Sequence, residues 1–232
     1  MTWITRLLRG RTALHPACAP ALAAYRALAR PDPAGDIRRM RFVVVDVETS
    51  GLDLRRERLL AIGAVAVEAM LLRFDDSFSA YLRQPVASSN ENILVHGIDG
   101  TTQVSAPDSA DGLAAFLRYA GKAPLVAFHA GFDRMAIDRA LRAALGVSLE
   151  NTWLDLAKLA PALLPEGAAF TTLDAWTDAL GIANYRRHDA LADAAATAQL
   201  LQVVLARSIA CGDTRLVDLE RAQDAQRWLE RG

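Results

Sequence analysis

The sequence predicts an α/β fold, a mixed sheet flanked by helices, and three observations point there. Residues 41–48, Arg-Phe-Val-Val-Val-Asp-Val-Glu, form a β-branched run without polar alternation, which is how a central strand buried on both faces reads. Two further strand candidates, 59–68 and 72–82, are each bounded by turn-forming or charged residues and continue the first as an antiparallel meander. After them the chain turns mostly helical, and a strand–helix–strand pattern emerges.

In that second part, residues 111–119 read as a helix and 124–128 as a buried strand. Residues 132–145 form a helix with Arg134, Asp138 and Arg142 on its wet face and Gly146 as its stop. A short strand at 152–154 precedes helices at 155–164 and 172–180, which end near Pro165 and at Gly181. The final long helix begins near Asp189, and its apolar residues Leu191, Ala194, Ala198, Leu201 and Leu205 step by three and four, so one face packs on the sheet. A last helix spans 216–229.

At the other end, residues 21–29 form a short helix before a Pro-Asp-Pro-Ala-Gly linker at 31–35, and this segment either docks on the domain or stays mobile. The division expected is a helical extension and linker at 1–39, a catalytic domain at 40–210 and a C-terminal helix at 211–232. Arg6, Arg9 and Arg11 raise the question of a targeting peptide, but His15, Pro16 and Pro20 interrupt its apolar part. No stretch approaches the roughly 20 apolar residues of a membrane span, so no membrane partner is expected.

Lys plus Arg number 26 against 27 for Asp plus Glu, a net charge of −1, so any nucleic-acid contact has to be local. The two cysteines, Cys18 and Cys211, are far apart, which argues against a disulfide framework and a zinc site and fits a reducing cytoplasm. Neither a P-loop nor a G-x-G-x-x-G motif is present.

The chemistry-bearing residues are carboxylates at element ends. Asp46 and Glu48, two apart on one strand, leave the same face of the sheet. Two adjacent carboxylates closing an apolar strand carry a large desolvation cost unless a cation neutralises them, and oxygen ligands favour Mg²⁺ or Mn²⁺. Asp133 and Asp193 each open a helix, where the macrodipole alone favours an acid. Four acids so placed can nevertheless converge on one sheet edge. His188 lies five residues before Asp193, roughly 140° away on a helix. The two converge if His188 occupies the preceding loop and Asp189 caps the helix. With an unperturbed pKa of about 6.5, such a histidine can serve as a general base.

Asp46-Val-Glu48-Thr-Ser-Gly51, His96-Gly-Ile98, Ala127-Phe-His-Ala-Gly-Phe132-Asp133 and His188-Asp-Ala-Leu-Ala-Asp193 together resemble the DnaQ-like exonucleases with the DEDDh signature, in order and spacing, from about residue 40 to 207. The motifs are closest to the proofreading (epsilon) subunit type of DNA polymerase III.

The resemblance implies a ribonuclease H-like sheet of three antiparallel strands followed by parallel ones. It also implies a metal-dependent 3′→5′ exonuclease that releases nucleoside 5′-monophosphates from single-stranded DNA ends. Asp46, Glu48 and Asp193 would hold one ion, Asp46 would bridge to a second, and Asp133 would bind that one directly or through water, giving two Mg²⁺ or Mn²⁺ ions per site. His188 would deprotonate the attacking water. Val47, Thr49 and Leu52 would receive the terminal nucleotide, His96 would reach its sugar or phosphate, and Phe132 would stack on a base or join the core. Family members commonly carry His-Asn where this chain has Phe128-His129, which puts a supporting hydrogen bond in question. RNA trimming by the same chemistry, or a module that has lost the chemistry and binds nucleic acid or a polymerase, are the rival readings.

Overall fold

The computed structural model describes residues 18–51, 53 and 57–229. The apolar run of the sequence becomes β1 (Arg41–Thr49), the middle strand of a five-stranded sheet. On one side it pairs antiparallel with β2 (Leu59–Glu68), which pairs antiparallel with the edge strand β3 (Leu71–Tyr81). On the other side β4 (Leu125–Ala127) and β5 (Trp153–Asp155) follow in parallel, so the order is β3-β2-β1-β4-β5. The mixed sheet expected from the sequence is therefore present. The β2–β3 hairpin turns on Ala69 and Met70, both at positive φ, and this two-residue turn starts β3 one residue earlier than expected.

Alternation along β1 divides the core into two layers. Val43, Val45 and Val47 face a layer built from α1 (Ala19–Ala27), α4 (Ser109–Ala120) and α5 (Ala130–Leu145). Phe42 and Val44 face α6 (Leu156–Leu163), α7 (Leu173–Leu180), α8 (Ala190–Ala210) and α9 (Leu216–Leu229). Ala194, Ala198, Leu201 and Leu205 of α8 are buried against the sheet as their spacing requires, while Leu191 is only partly covered.

The N-terminal helix docks. Leu22 and Tyr25 are buried, the Tyr25 hydroxyl donates to Asn151 Oδ1 (2.8 Å), and the buried ammonium of Lys122 lies 3.7 Å from the Tyr25 ring centroid. Pro20 sits in the first turn, where its missing N–H costs nothing, so the helix starts two residues earlier than expected. The arginines at 6, 9 and 11, and the breaks at His15 and Pro16, lie outside the described residues.

Two short helices, α2 (Asn90–His96) and α3 (Gly100–Ser105), occupy a stretch with no periodic signal long enough to read; Ser89 and Asp99 cap them, and Gly97 ends the first in a left-handed turn. Asp138 corrects the helical-wheel reading of α5. It is buried and not on the wet face, because the backbone turns back past Gly146 and brings the Leu149 N–H onto its carboxylate at 2.8 Å. Among the described residues no helix is long and apolar enough to cross a membrane.

Candidate active site

Asp46 and Glu48 leave β1 on the α8 side, while Val47 and Thr49 point to the α5 side. The pairing of β1 with β4 stops at Val44 opposite Val126, so the last residues of β1 run past the end of β4 and keep an open edge. Asp133, buried in the first turn of α5, fills part of it: the Val47 N–H points at its carboxylate.

On the other side Gly63 of β2 pairs with Asp46. A Cβ at Gly63 would stand 2.2 Å from the Ala190 carbonyl carbon and the Leu191 nitrogen, so only glycine lets the start of α8 reach the sheet here. One turn further along, Asp193 hangs over the strand. A carboxylate oxygen from each of Asp46, Glu48 and Asp193 lies within 4.8 Å of the others.

Two histidines at positive φ shape the loops that deliver these groups, His129 (φ 64°) before α5 and His188 (φ 61°) before α8. The His188 N–H donates to Asp193 Oδ2 (3.0 Å), and Asp189 caps α8 by accepting from the Ala192 N–H (3.1 Å). This is the loop-and-cap arrangement that allows His188 and Asp193 to meet. The His129 N–H donates to Asp155 Oδ1 (2.9 Å), and the Asp155 N–H donates to Gln223 Oε1 (2.5 Å). The loop is thus held through a main-chain group, which the unusual Phe128-His129 pair leaves intact, and histidine tolerates the left-handed region better than most residues.

Asp46, Val47, Glu48, Phe132, Asp133, His188 and Asp193 line a single open hollow of about 360 Å³, together with Phe128 and His129. Phe132 packs against the core and also lines the hollow. Thr49 faces a different hollow on the α5 side. His96 ends α2; it is buried, its Nδ1 accepts from the Ile98 N–H (3.0 Å) and its Nε2 lies 3.1 Å from Ser88 Oγ. It borders a neighbouring hollow that touches Glu48 and His188. Leu52 lies outside the described residues.

The charges at the site are costly to hold. Burial, then Asp133, Asp193 and Glu48, push Asp46 well above the usual carboxylate range. Burial, then Asp193 and Asp189, push Glu48 up to about 8. Burial chiefly pushes Asp133 up to about 8, with backbone N–H groups opposing. An all-oxygen donor set that resists ionisation by itself fits a hard divalent cation. Sequence reasoning missed Gly63, Asn184, Asp155 and Gln223. Asn184 Nδ2 donates to Asp193 Oδ1. Only Gly63 carried a legible signal, an isolated glycine inside a strand pattern.

The profile of the exonuclease family RNase_T matches residues 43–201, a span that takes in all of these loops. The chain belongs to this exonuclease family. Among curated relatives, the PolC-type DNA polymerase III of Thermotoga maritima is 27% identical over 183 residues, 79% of this chain and 13% of that one. The DNA polymerase III subunit epsilon-like protein of Rhodobacter capsulatus is 31% identical over 178 residues, 74% of this chain and 25% of that one. The chain therefore spans a minor part of these relatives. In fold it is similar to E. coli Exonuclease I solved with a dT13 oligonucleotide (TM-score 0.59, 20% identity, 75% of this chain and 43% of that one). It is also similar to Exonuclease X solved with 5′ overhanging duplex DNA (TM-score 0.57, 22% identity, 77% and 98%).

Proposed function

We propose that this protein is a metal-dependent 3′→5′ exonuclease that hydrolyses terminal phosphodiester bonds of single-stranded DNA and releases nucleoside 5′-monophosphates. The observation that carries the reading is the convergence of Asp46, Glu48 and Asp193 within 4.8 Å, in a hollow that Asp133 and His188 also line. Asp46, Glu48 and Asp193 would hold one Mg²⁺ or Mn²⁺ ion, and Asp46 with Asp133 a second. Such ions supply Lewis acidity at the scissile phosphate and neutralise the carboxylates.

The remaining work falls to side chains. His188 is exposed at the rim of the hollow with its backbone anchored to Asp193, so its ring is free to swing over an incoming phosphate and take the proton of the attacking water. Phe132 offers a ring face to a terminal base, and Val47 lines the floor below it. Thr49, Leu52 and His96 are proposed to bound the terminal nucleotide, His96 from within the wall. A DNA polymerase as partner and a cytoplasmic place of work are proposed from the names of the relatives.

The test is digestion of 5′-labelled single-stranded DNA and RNA of one sequence with Mg²⁺ or Mn²⁺, beside an Asp46→Ala control. A ladder shortening from the 3′ end, faster on DNA and absent in the control, is the expected result. Faster shortening of RNA would make it an RNA-trimming enzyme, and no ladder under any condition would make it a binding module.

A further inference from the structure

A hollow of about 220 Å³ opens on the side of β1 opposite the carboxylates, between the ends of β2 and β3 and the flank of α5. Its floor is apolar, with Leu82, Leu113, Ala136 and Ala140, and Arg58, Arg83 and Arg139 line it as well. Thr49, the residue after Glu48, joins it to the strand end that carries the site. Arg139 also belongs to a second, shallower hollow over the exposed face of α5, with Arg134, Arg142 and Met135, the last 55% exposed.

The acids in these walls are turned inward: the Ser50 hydroxyl donates to Glu57 (2.5 Å), and Asp138 accepts from the Leu149 N–H. Arg83 spends its Nε on the Ala106 carbonyl; Arg142 spends its Nε on Ser148, and one of its terminal nitrogens lies 3.7 Å from Asp138, which holds both guanidinium groups in place. In a chain of net charge −1, Arg134, Arg139 and Arg142 thus share the exposed side of α5, the helix that starts at the candidate active site, and Arg58 and Arg83 line the hollow beside it.

Cations bordering an apolar floor are what a single-stranded nucleic acid requires, phosphates to the former and base faces to the latter. We infer that this groove along α5 carries the nucleotides upstream of the scissile bond, with Arg58 and Arg139 against their phosphates; the inference rests on the exonuclease reading above. The 3′-terminal nucleotide occupies the carboxylate hollow, and the strand passes Thr49 into the groove.

The experiment compares wild type with Arg58→Glu/Arg139→Glu on two substrates, a 20-nucleotide oligo(dT) and the 4-nitrophenyl ester of thymidine 5′-monophosphate, which fills the catalytic hollow alone. The expected result is a KM for the oligonucleotide raised about tenfold or more, with the slope of log KM against log salt reduced by about 0.7 per arginine. Ester hydrolysis stays unchanged. An unaltered oligonucleotide KM and salt slope would overturn the inference, and so would an equal loss on both substrates. Absence of ester hydrolysis and of oligonucleotide cleavage in the wild type would instead sink the exonuclease reading itself.

Discussion

Gly63 of β2 and Ala190 of α8 touch main chain to main chain, with room for no side chain between them: a methyl group on Gly63 would lie 2.2 Å from the Ala190 carbonyl carbon. Because Gly63 is also the register partner of Asp46, this contact fixes how high Asp193 stands above the strand. Asp46 and Glu48 come from one short stretch of strand, whereas Asp193 depends on a packing distance.

Gly63→Ala is therefore expected to push the start of α8 off the sheet. Overpacking of this kind costs about 1–3 kcal/mol of stability. A shift of about 1 Å in Asp193 and His188 should cost turnover about a hundredfold. A thermal melt and a steady-state assay on the purified variant check both. Wild-type turnover in a folded variant would show that α8 retreats without carrying its carboxylate along.

The unneutralised carboxylates make a pH prediction. Glu48 and Asp133 are pushed up to about 8 from ordinary values near 4. A folded-state value above the unfolded one means that the folded protein holds protons the unfolded chain has released. Its stabilising contribution is complete below about pH 4 and is lost as pH rises towards about 8. In EDTA the melting temperature should fall across that window. Mg²⁺ or Mn²⁺ should restore it most at the alkaline end, where bound protons no longer compete. A metal-induced rise in melting temperature that is the same at pH 5 and pH 8 would contradict this.

His188→Ala should lose a little stability, since alanine tolerates the positive φ at 188 less well than histidine, and should keep the metal-dependent stabilisation, since the contact of residue 188 to Asp193 runs through the backbone N–H. Turnover should fall by about 10²–10⁴, the usual contribution of a general base. Asp46→Ala should lose both turnover and the metal-induced rise in melting temperature. Unchanged activity in pure His188→Ala would remove the imidazole from the mechanism.

Asp155 connects the Asp133 loop to the C-terminal helix, taking the His129 N–H on its carboxylate while giving its own N–H to Gln223. Asp155→Ala should lower kcat, because the group that moves is the loop that carries Asp133. Asp155→Asn keeps an oxygen acceptor and should recover most of the loss. Equal defects in the two variants would show that the charge, and not the hydrogen bond, matters there.

Much of this molecule is legible without coordinates. A strand buried on both faces has to be apolar throughout, so β1 announces itself, and the period of two puts Asp46 and Glu48 on one face as soon as the strand is recognised. The long α8 follows from its stripe, and its start from Asp189 as a cap. These are local consequences of backbone geometry, and the motifs around them mark the family.

What the tertiary structure alone decided is everything that depends on distance between segments remote in the chain. Asp133 belongs to the site because β4 stops short and leaves the Val47 N–H unpaired, and Asp193 because Gly63 has no side chain. Asp138 looked solvated on a helical wheel and is buried, because a loop beyond Gly146 folds back on it. His96 ends a helix that no sequence pattern announces, since a helix of seven residues has no room for a period to show. Periodicity reports which face a residue takes, whereas convergence is set by packing between elements, and no local pattern encodes it.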